Sequence, residues 1–152
     1  MNSRQRVLAA IAHREPDGIP VDLGATPSSG ISAIAYDNLL RAMPLKDHRN
    51  WVYDVVQQVA QPSAEVLDYF RIDSVDLGRT FNTQDSDWYD YTLLNGSTAQ
   101  QPVWFRPRKQ PDGSSLAYKD AEAIAVMPAT AISYDQIVFP FQDGYPAHYD
   151  AN

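Results

Sequence analysis

A short phrase that contains an aspartate and, two residues later, a glycine occurs twice in the sequence. Residues 20–26 read PVDLGAT and residues 74–80 read SVDLGRT, so Val-Asp-Leu-Gly-x-Thr recurs around Asp22 and Asp76. A carboxylate in this position can accept hydrogen bonds from a ligand or act as a base, and glycine lets the backbone turn sharply. Alternatively, each carboxylate hydrogen-bonds N–H groups of its own loop or caps the next segment of the chain. The sequence leaves both roles open.

An arginine lies at the end of the second phrase. Arg79 could hold a carboxylate or phosphate with two parallel hydrogen bonds, or it could form an ion pair with the acidic residues near it. We take Asp22, Asp76 and Arg79 as the candidate substrate-binding residues. The sequence identifies no catalytic residue.

Several other chemistries have no support in the sequence. The chain of 152 residues has no cysteine, which excludes disulfides, thiol nucleophiles and thiolate metal sites. His13, His48 and His148 are too scattered for a local metal-ligand pattern, so we predict no metal within this chain. No Gly-rich phosphate loop and no Gly-x-Ser-x-Gly segment occurs.

The charge of the chain bears on its partners and its location. The net charge of −7 opposes binding to nucleic acid or to an anionic membrane, although a basic cluster at residues 106–109 follows two aromatic residues. We interpret that cluster as an exposed hairpin. No segment reaches the roughly 18 apolar residues that span a bilayer. The apolar stretch near the first residues is too short for a signal peptide. We therefore expect a cytoplasmic protein.

The candidate residues must be positioned by the elements of the first half. Hydrophobic spacing, caps and prolines predict four helices and two strands, in the order helix 2–12, strand 19–24, helix 28–43, helix 51–60, helix 62–70 and strand 72–77. Alternating strands and helices favour parallel βα geometry. Asp22 and Asp76 would then end neighbouring parallel strands on the same side of the sheet, where such folds build their sites.

The second half has a different character. From about residue 82, aromatic residues, prolines and Asn-Gly or Asp-Gly pairs replace the helical pattern. We predict short strands at 103–105, 115–118 and 124–127, with a hairpin turn at 111–113. This is typical of a small antiparallel β-meander. We divide the chain into residues 1–81 and 82–152, as two parts of one domain.

Two stretches of the sequence resemble a known family. Residues 4–40 read RQRVLAAIAHREPDGIPVDLGATPSSGISAIAYDNLL, and residues 51–81 read WVYDVVQQVAQPSAEVLDYFRIDSVDLGRTF. Together they resemble the N-terminal part of uroporphyrinogen decarboxylase-like proteins, a superfamily that includes corrinoid-dependent methyltransferases. The resemblance is strongest at residues 14–17 and in the second predicted strand.

The resemblance implies an α/β fold, the (β/α)8 barrel. A closed barrel needs about 250 residues, so we expect this chain to hold only the opening βα units of an incomplete barrel, followed by the β-meander. The chain would then be a truncated product, or one subunit of a split barrel that another polypeptide completes.

Departures from the family narrow the implied reaction. True uroporphyrinogen decarboxylases carry an arginine-rich segment after the first strand, whereas residues 24–30 contain no cation, and Thr80 stands about where their catalytic Asp would lie. An uncharged loop cannot neutralise a polycarboxylate substrate, so that decarboxylation is not expected.

The methyltransferase branch remains compatible with the sequence. The resemblance implies a corrinoid-linked methyltransferase, or a related small-molecule lyase or transferase, for the complete parent protein. Its corrinoid and zinc would bind outside this chain, which we expect to be inactive alone. Expected partners are a small-molecule substrate and a complementing chain, a corrinoid protein or a second copy. The alternative is a non-catalytic α/β interaction module.

Overall fold

The chain is divided into two compact units, Met1–Trp104 and Phe105–Asn152. The computed structural model describes residues 1–77, 82–139, 141–142 and 144. The division between the units lies later in the chain than the one we drew at residue 81. The reason is that the strand at residues 98–102 pairs with the strand at residues 51–54, and the strand at residues 88–92 pairs with the strand at residues 98–102.

Three α-helices occur in the described part of the first unit, and each begins at a local cap. Helix α1 (Ser3–Ile11) starts with a reciprocal capping box, in which the Gln5 N–H donates to Asn2 Oδ1 and the Asn2 N–H donates to Gln5 Oε1. Helix α2 (Ala33–Ala42) is capped by the Ser32 side chain, and helix α3 (Ala64–Tyr69) by the Ser63 side chain. All three were predicted, although α2 begins later than expected.

The first unit contains a five-stranded sheet. Its strands are β1 (Ile31–Ser32), β2 (Trp51–Asp54), β3 (Val59–Gln61), β4 (Trp88–Thr92) and β5 (Thr98–Pro102). Their spatial order is β1-β3-β2-β5-β4, and every neighbouring pair is antiparallel except β2 and β5. Those two parallel strands meet at a single register pair, Trp51 and Gln100. The sheet is therefore built from two hairpins placed side by side, with β1 added at the edge beside β3.

The helix predicted over residues 51–60 is wrong, because this segment forms the β2–β3 hairpin. The Asp54 carboxylate accepts the N–H groups of Val56 and Gln57, which closes the turn. Gln58 then reverses the chain with a φ of 54°. β-branched valines fit a pleated strand better than a helix, so tertiary pairing overrides the helical spacing of the apolar residues.

The core of the first unit lies between α2 and the sheet. Tyr36 and Leu40 on α2 are fully buried and pack with Val52 on β2 and Ala60 on β3. Burial of these apolar side chains supplies the main stabilisation of the unit.

The prediction that the chain forms the opening βα units of a (β/α)8 barrel is wrong. The structure is mostly β, with two sheets built largely of antiparallel strands. The two segments predicted as parallel strands share one isolated parallel bridge, between Asp22 and Ser74, outside both sheets. Pro20 has no N–H to donate, and the Val21 N–H donates to a side chain, so this pair does not extend into a ladder.

The second unit contains a four-stranded antiparallel sheet. Its strands are β6 (Arg108–Lys109), β7 (Ser115–Lys119), β8 (Glu122–Met127) and β9 (Asp135–Gln136), in that spatial order. The predicted turn at 111–113 lies between β6 and β7, where Gly113 has a φ of 85°. A small core forms around Met127 and Tyr134.

The strand predicted at residues 103–105 is wrong. The strand in this region is β5, which ends at residue 102, because the Asn95-Gly96 turn pairs residues 98–102 with β4. Gly96 has a φ of 82°, which a tight hairpin turn requires and which glycine adopts without strain.

Candidate functional site

The structure brings the first copy of the repeated phrase beside the described part of the second copy, residues 74–77. The bridge between Asp22 and Ser74 is parallel, so the segments around Asp22 and Asp76 run in the same direction. This agrees with the predicted orientation, although the segments are not strands of a sheet. Both carboxylates are exposed. Arg79, the third candidate residue, lies outside the described residues.

Asp22 has a contact within its own loop. Its Oδ1 accepts the Ala25 N–H at 3.1 Å. The N–H of Gly24 donates to the Ser29 carbonyl at 3.0 Å, so the same loop is closed a second time. The loop role that the sequence left open for Asp22 is therefore present, and ligand binding by this residue stays a prediction.

A small cleft lies beside the two parallel segments, and we refer to it as the Asp76 cleft. Its volume is about 160 Å³. The apolar part of its lining includes Leu23, Pro62 and Leu67, and the polar part includes Gln61, Ser74 and Asp76. An apolar wall with a few hydrogen-bonding groups is typical of small-molecule sites.

Gly24 allows the loop to approach the wall of this cleft closely. Its φ is 81°, and a Cβ atom at this position would lie 2.9 Å from Pro62 Cδ. Real Cβ atoms do not come so close to a ring carbon, so a side chain here would push the loop away from Pro62. The glycine of the first phrase therefore has a packing role as well as a turning role.

A carboxylate that the sequence analysis missed lies between the parallel segments and α1. The Asp73 side chain is only 3% exposed, and its Oδ1 is 2.5 Å from Arg6 Nη1. Its Oδ2 accepts the Val21 N–H at 3.0 Å. The Val21 N–H, with the Ser3 hydroxyl and the Arg6 guanidinium, holds the pKa of Asp73 below its usual range.

Arg6 also connects to a second carboxylate. Its Nε donates to Asp17 Oδ1 at 2.8 Å, and the Met1 ammonium also contacts Asp17. The hydrogen bond from Arg6, followed by that from the N-terminal ammonium, lowers the pKa of Asp17 to about 2. Asp17 belongs to the segment that carries the family resemblance, and its carboxylate forms an ion pair with Arg6.

A second cleft, of about 230 Å³, is lined by residues of the loop before β2 and the start of α3. Its charged groups contact each other, because Arg49 pairs with Asp47 at 3.0 Å and lies 4.7 Å above the Trp51 ring. The Glu65 carboxylate accepts the backbone N–H groups of Lys46 and Asp47. These contacts hold the local structure together, so we favour the Asp76 cleft as the candidate site.

Two further chemistries can be checked against the structure. Over residues 1–77, 82–139, 141–142 and 144, no group of three His, Cys, Asp or Glu side chains is placed to hold a metal ion. Within the basic cluster, Arg108 lies over the Tyr118 ring at 4.3 Å, on the edge strand β6.

None of the helices in the described part of the chain is long and apolar enough to cross a membrane.

We compared the chain with protein-family models, curated proteins and solved structures, and found no match in any of the three. The resemblance to uroporphyrinogen decarboxylase-like proteins stays a prediction from the sequence.

Proposed function

We propose that the chain binds a small molecule in the Asp76 cleft, in a cytoplasmic protein that performs corrinoid-linked methyl transfer or a related small-molecule lyase or transferase reaction. One observation carries the binding proposal. The segments around Asp22 and Ser74 run in parallel at the bridge between these two residues, beside a cleft with an apolar wall and polar groups. The reaction class rests on the sequence resemblance alone.

The size of the cleft limits the ligand. Pockets for drug-sized ligands usually enclose about 300–1,000 Å³, whereas this cleft encloses about 160 Å³. It suits a molecule of few heavy atoms, or one end of a larger one. The corrinoid of the proposed reaction is far larger, so we assign it to a partner protein or to another part of the parent protein.

The charge of the cleft favours a neutral ligand over a polyanion. The charged group in its described lining is the Asp76 carboxylate. A porphyrinogen with several carboxylates would be repelled by this group and by the nearby Asp22. We therefore propose that the complete protein does not decarboxylate uroporphyrinogen. A neutral molecule with a hydroxyl group could donate a hydrogen bond to Asp76 and place its apolar part against Leu67.

Titration with a defined probe tests the binding proposal. We choose 2-methoxyphenol, which combines an apolar ring, a methyl group to donate and a hydroxyl. Its addition to ¹⁵N-labelled protein should shift the NMR resonances of residues 23–24 and 74–76. Asp76→Asn should weaken binding about tenfold, because a hydrogen bond to a charged acceptor becomes one to a neutral group.

Asp120→Asn is the matched control for this titration. Asp120 lies in the turn between β7 and β8 with a φ of 55°, which asparagine tolerates as well as aspartate. This substitution should leave binding unchanged. Shifts scattered over the protein, or equal losses for the two variants, would contradict binding in the Asp76 cleft.

A second candidate function, a non-catalytic interaction module, is favoured by a different observation. The side chains of Ile19 and Leu77 on the parallel segments are 86% and 91% exposed. Exposed apolar side chains beside open backbone edges are typical of surfaces that bind another polypeptide. Under this alternative, Ile19→Ser should weaken association with a complementing chain or a second copy. Sedimentation over a range of concentrations would detect association between copies, with Leu94→Ser as the control.

A further inference from the structure

We propose that Asp73, held by Arg6, is the positioning residue of the Asp76 cleft, because its carboxylate fixes the register of residues 72–77 beside residues 19–24. This inference rests on the proposed binding role of that cleft. Asp73 is not among the residues that line the cleft. Its effect on a ligand would be exerted through the backbone.

Asp73 contacts one residue of the opposite segment at two points. Its N–H donates to the Val21 carbonyl at 2.8 Å, and its Oδ2 accepts the Val21 N–H at 3.0 Å. Both hydrogen bonds lie next to the bridge between Asp22 and Ser74. A regular strand pair sets its register with a long series of backbone hydrogen bonds. Here a side chain replaces one partner of that series.

Arg6 explains why the carboxylate keeps this position. Its Nη1 is 2.5 Å from Asp73 Oδ1, while its Nε donates to Asp17 Oδ1 at 2.8 Å. Apart from Asp73, the planar guanidinium donates to the Asp17 carboxylate and to the Met1 carbonyl, and these contacts hold it in place beside Asp73. A carboxylate that is 3% exposed needs such partners, since its charge is removed from water. Helix α1 is in this way connected to the register of the parallel segments.

A change of register would alter the cleft directly. Ser74 and Asp76 follow Asp73 in the chain, and Leu23 follows Asp22. In an extended segment successive side chains point to opposite sides, so a slip of one residue would exchange Asp76 for an apolar neighbour. The buried core of the first unit, which contains Tyr36 and Val52, includes none of residues 72–77. The register can therefore change without loss of the core.

The test substitutes Asp73→Asn and measures amide hydrogen exchange. The carboxylate accepts from the Val21 N–H on one oxygen and from Arg6 on the other, and the Ser3 hydroxyl also donates to it. A neutral amide keeps one acceptor oxygen, so at least one of these hydrogen bonds is lost. We expect exchange at residues 21 and 73 to accelerate roughly tenfold or more. Exchange at Val52 and Ala60, in the core of the sheet, should be unchanged. Equal acceleration at all four positions would overturn the inference, because Asp73 would then only stabilise the fold.

Two further variants sharpen the exchange measurement. Arg6→Lys keeps the charge but loses the fork that reaches both carboxylates, so it should reproduce part of the effect at residues 21 and 73. Asp47→Asn is the matched control, because Asp47 also accepts a backbone N–H and an Arg side chain, those of Arg49. Accelerated exchange at residue 21 in this control would overturn the inference.

A ligand titration separates this inference from the proposed function. Asp73→Asn should weaken binding of 2-methoxyphenol several-fold, and Asp47→Asn should not. If the unsubstituted protein binds no 2-methoxyphenol while the exchange results hold, the proposed binding fails and the register role of Asp73 stands. If Asp73→Asn leaves exchange at residues 21 and 73 unchanged, the register role fails whatever the ligand does.

Discussion

Gly24 is the residue of the candidate site that tolerates a side chain least. It has a φ of 81°, and an added Cβ would lie 2.9 Å from Pro62. Gly96 has nearly the same φ, 82°, but no atom lies within 4 Å of its Cβ position. The two glycines therefore differ in crowding and hardly at all in backbone conformation. This pair separates the two costs of replacing a glycine.

We predict that Gly24→Ala destabilises the protein more than Gly96→Ala. Both substitutions carry the cost of a left-handed conformation, about 1 kcal/mol. Gly24→Ala adds the displacement of Pro62, by about another 1 kcal/mol or more. The midpoints of urea unfolding would show the difference. Equal midpoints would mean that Pro62 moves aside freely and that Gly24 is needed for its φ alone.

Only some of the individual residues of the candidate site were predictable from the sequence. Asp22 and Asp76 could be singled out because a repeated phrase is visible in the sequence. Asp73 could not, since its importance depends on Arg6, which is 67 residues away in the chain. Only the fold brings this pair together. No local spacing pattern connects a helix near the start of the chain with a carboxylate at this distance.

At the scale of elements, one tyrosine connects two helices. Tyr36 on α2 is fully buried, and its hydroxyl accepts the N–H of Ser63, the cap of α3, at 2.9 Å. The N–H groups that begin a helix have no partner within it, so a side chain from elsewhere can satisfy one of those nearby. The hydroxyl thus fixes the start of α3 against α2.

We expect Tyr36→Phe to destabilise the protein by about 1–3 kcal/mol, because it leaves the N–H of Ser63 without its partner in a partly buried place. Tyr69→Phe is the control, since the Tyr69 side chain is 57% exposed. The control should change stability by no more than about 0.5 kcal/mol. Thermal and urea unfolding measure both effects. A Tyr36→Phe variant as stable as its control would show that water replaces the hydroxyl.

Local signals explain which elements were predictable. The three helices have their N-caps at Asn2, Ser32 and Ser63, and capping depends only on residues close in sequence, although the cap of α2 lies later than the start predicted at residue 28. The hairpin at residues 51–61 was mistaken for a helix, because apolar residues at 52, 55, 56 and 59 also fit a helical repeat. Its strands gain their stability from pairing with β1 and β5, which lie far away in sequence.

For the whole molecule, the sequence predicted the direction of the two repeated segments but not the fold around them. Alternating predicted strands and helices favoured a parallel sheet. That inference failed once the segment between Trp51 and Gln61 formed a hairpin, because a hairpin brings antiparallel strands together. In the described residues, parallel pairing occurs at the bridge between Asp22 and Ser74 and between β2 and β5. The wrong helix at residues 51–60 and the two predicted strands that form only an isolated bridge together misled the prediction of the fold class.

The whole molecule should lose stability in acid. The pKa of Asp17 falls from 3.8 to about 2 in the folded protein, chiefly through its hydrogen bond from Arg6. Contacts also lower the pKa values of Asp47, Asp73 and Asp112. A lowered folded-state pKa stabilises the protein above the unfolded pKa, and that contribution is lost as the pH falls through the folded pKa. We therefore expect the urea midpoint to fall between about pH 4 and pH 2.

The variant Asp17→Asn tests the source of this acid sensitivity. It removes the carboxyl group whose pKa is lowered to about 2. The midpoint of this variant should start lower at pH 7 and change less between pH 4 and pH 2. A variant with the same acid dependence as the original protein would assign the effect to the other carboxylates.

The stacking of Trp51 on Trp88 has a consequence for spectroscopy. The two ring centroids are 4.9 Å apart and the planes differ by 5°, so the stack joins β2 to β4 across the strand β5 between them. The third tryptophan, Trp104, is 59% exposed and already in contact with water. A red shift in the intrinsic fluorescence would therefore come mainly from the stacked indoles. The native chain thus carries its own optical reporter of whether its two hairpins are joined.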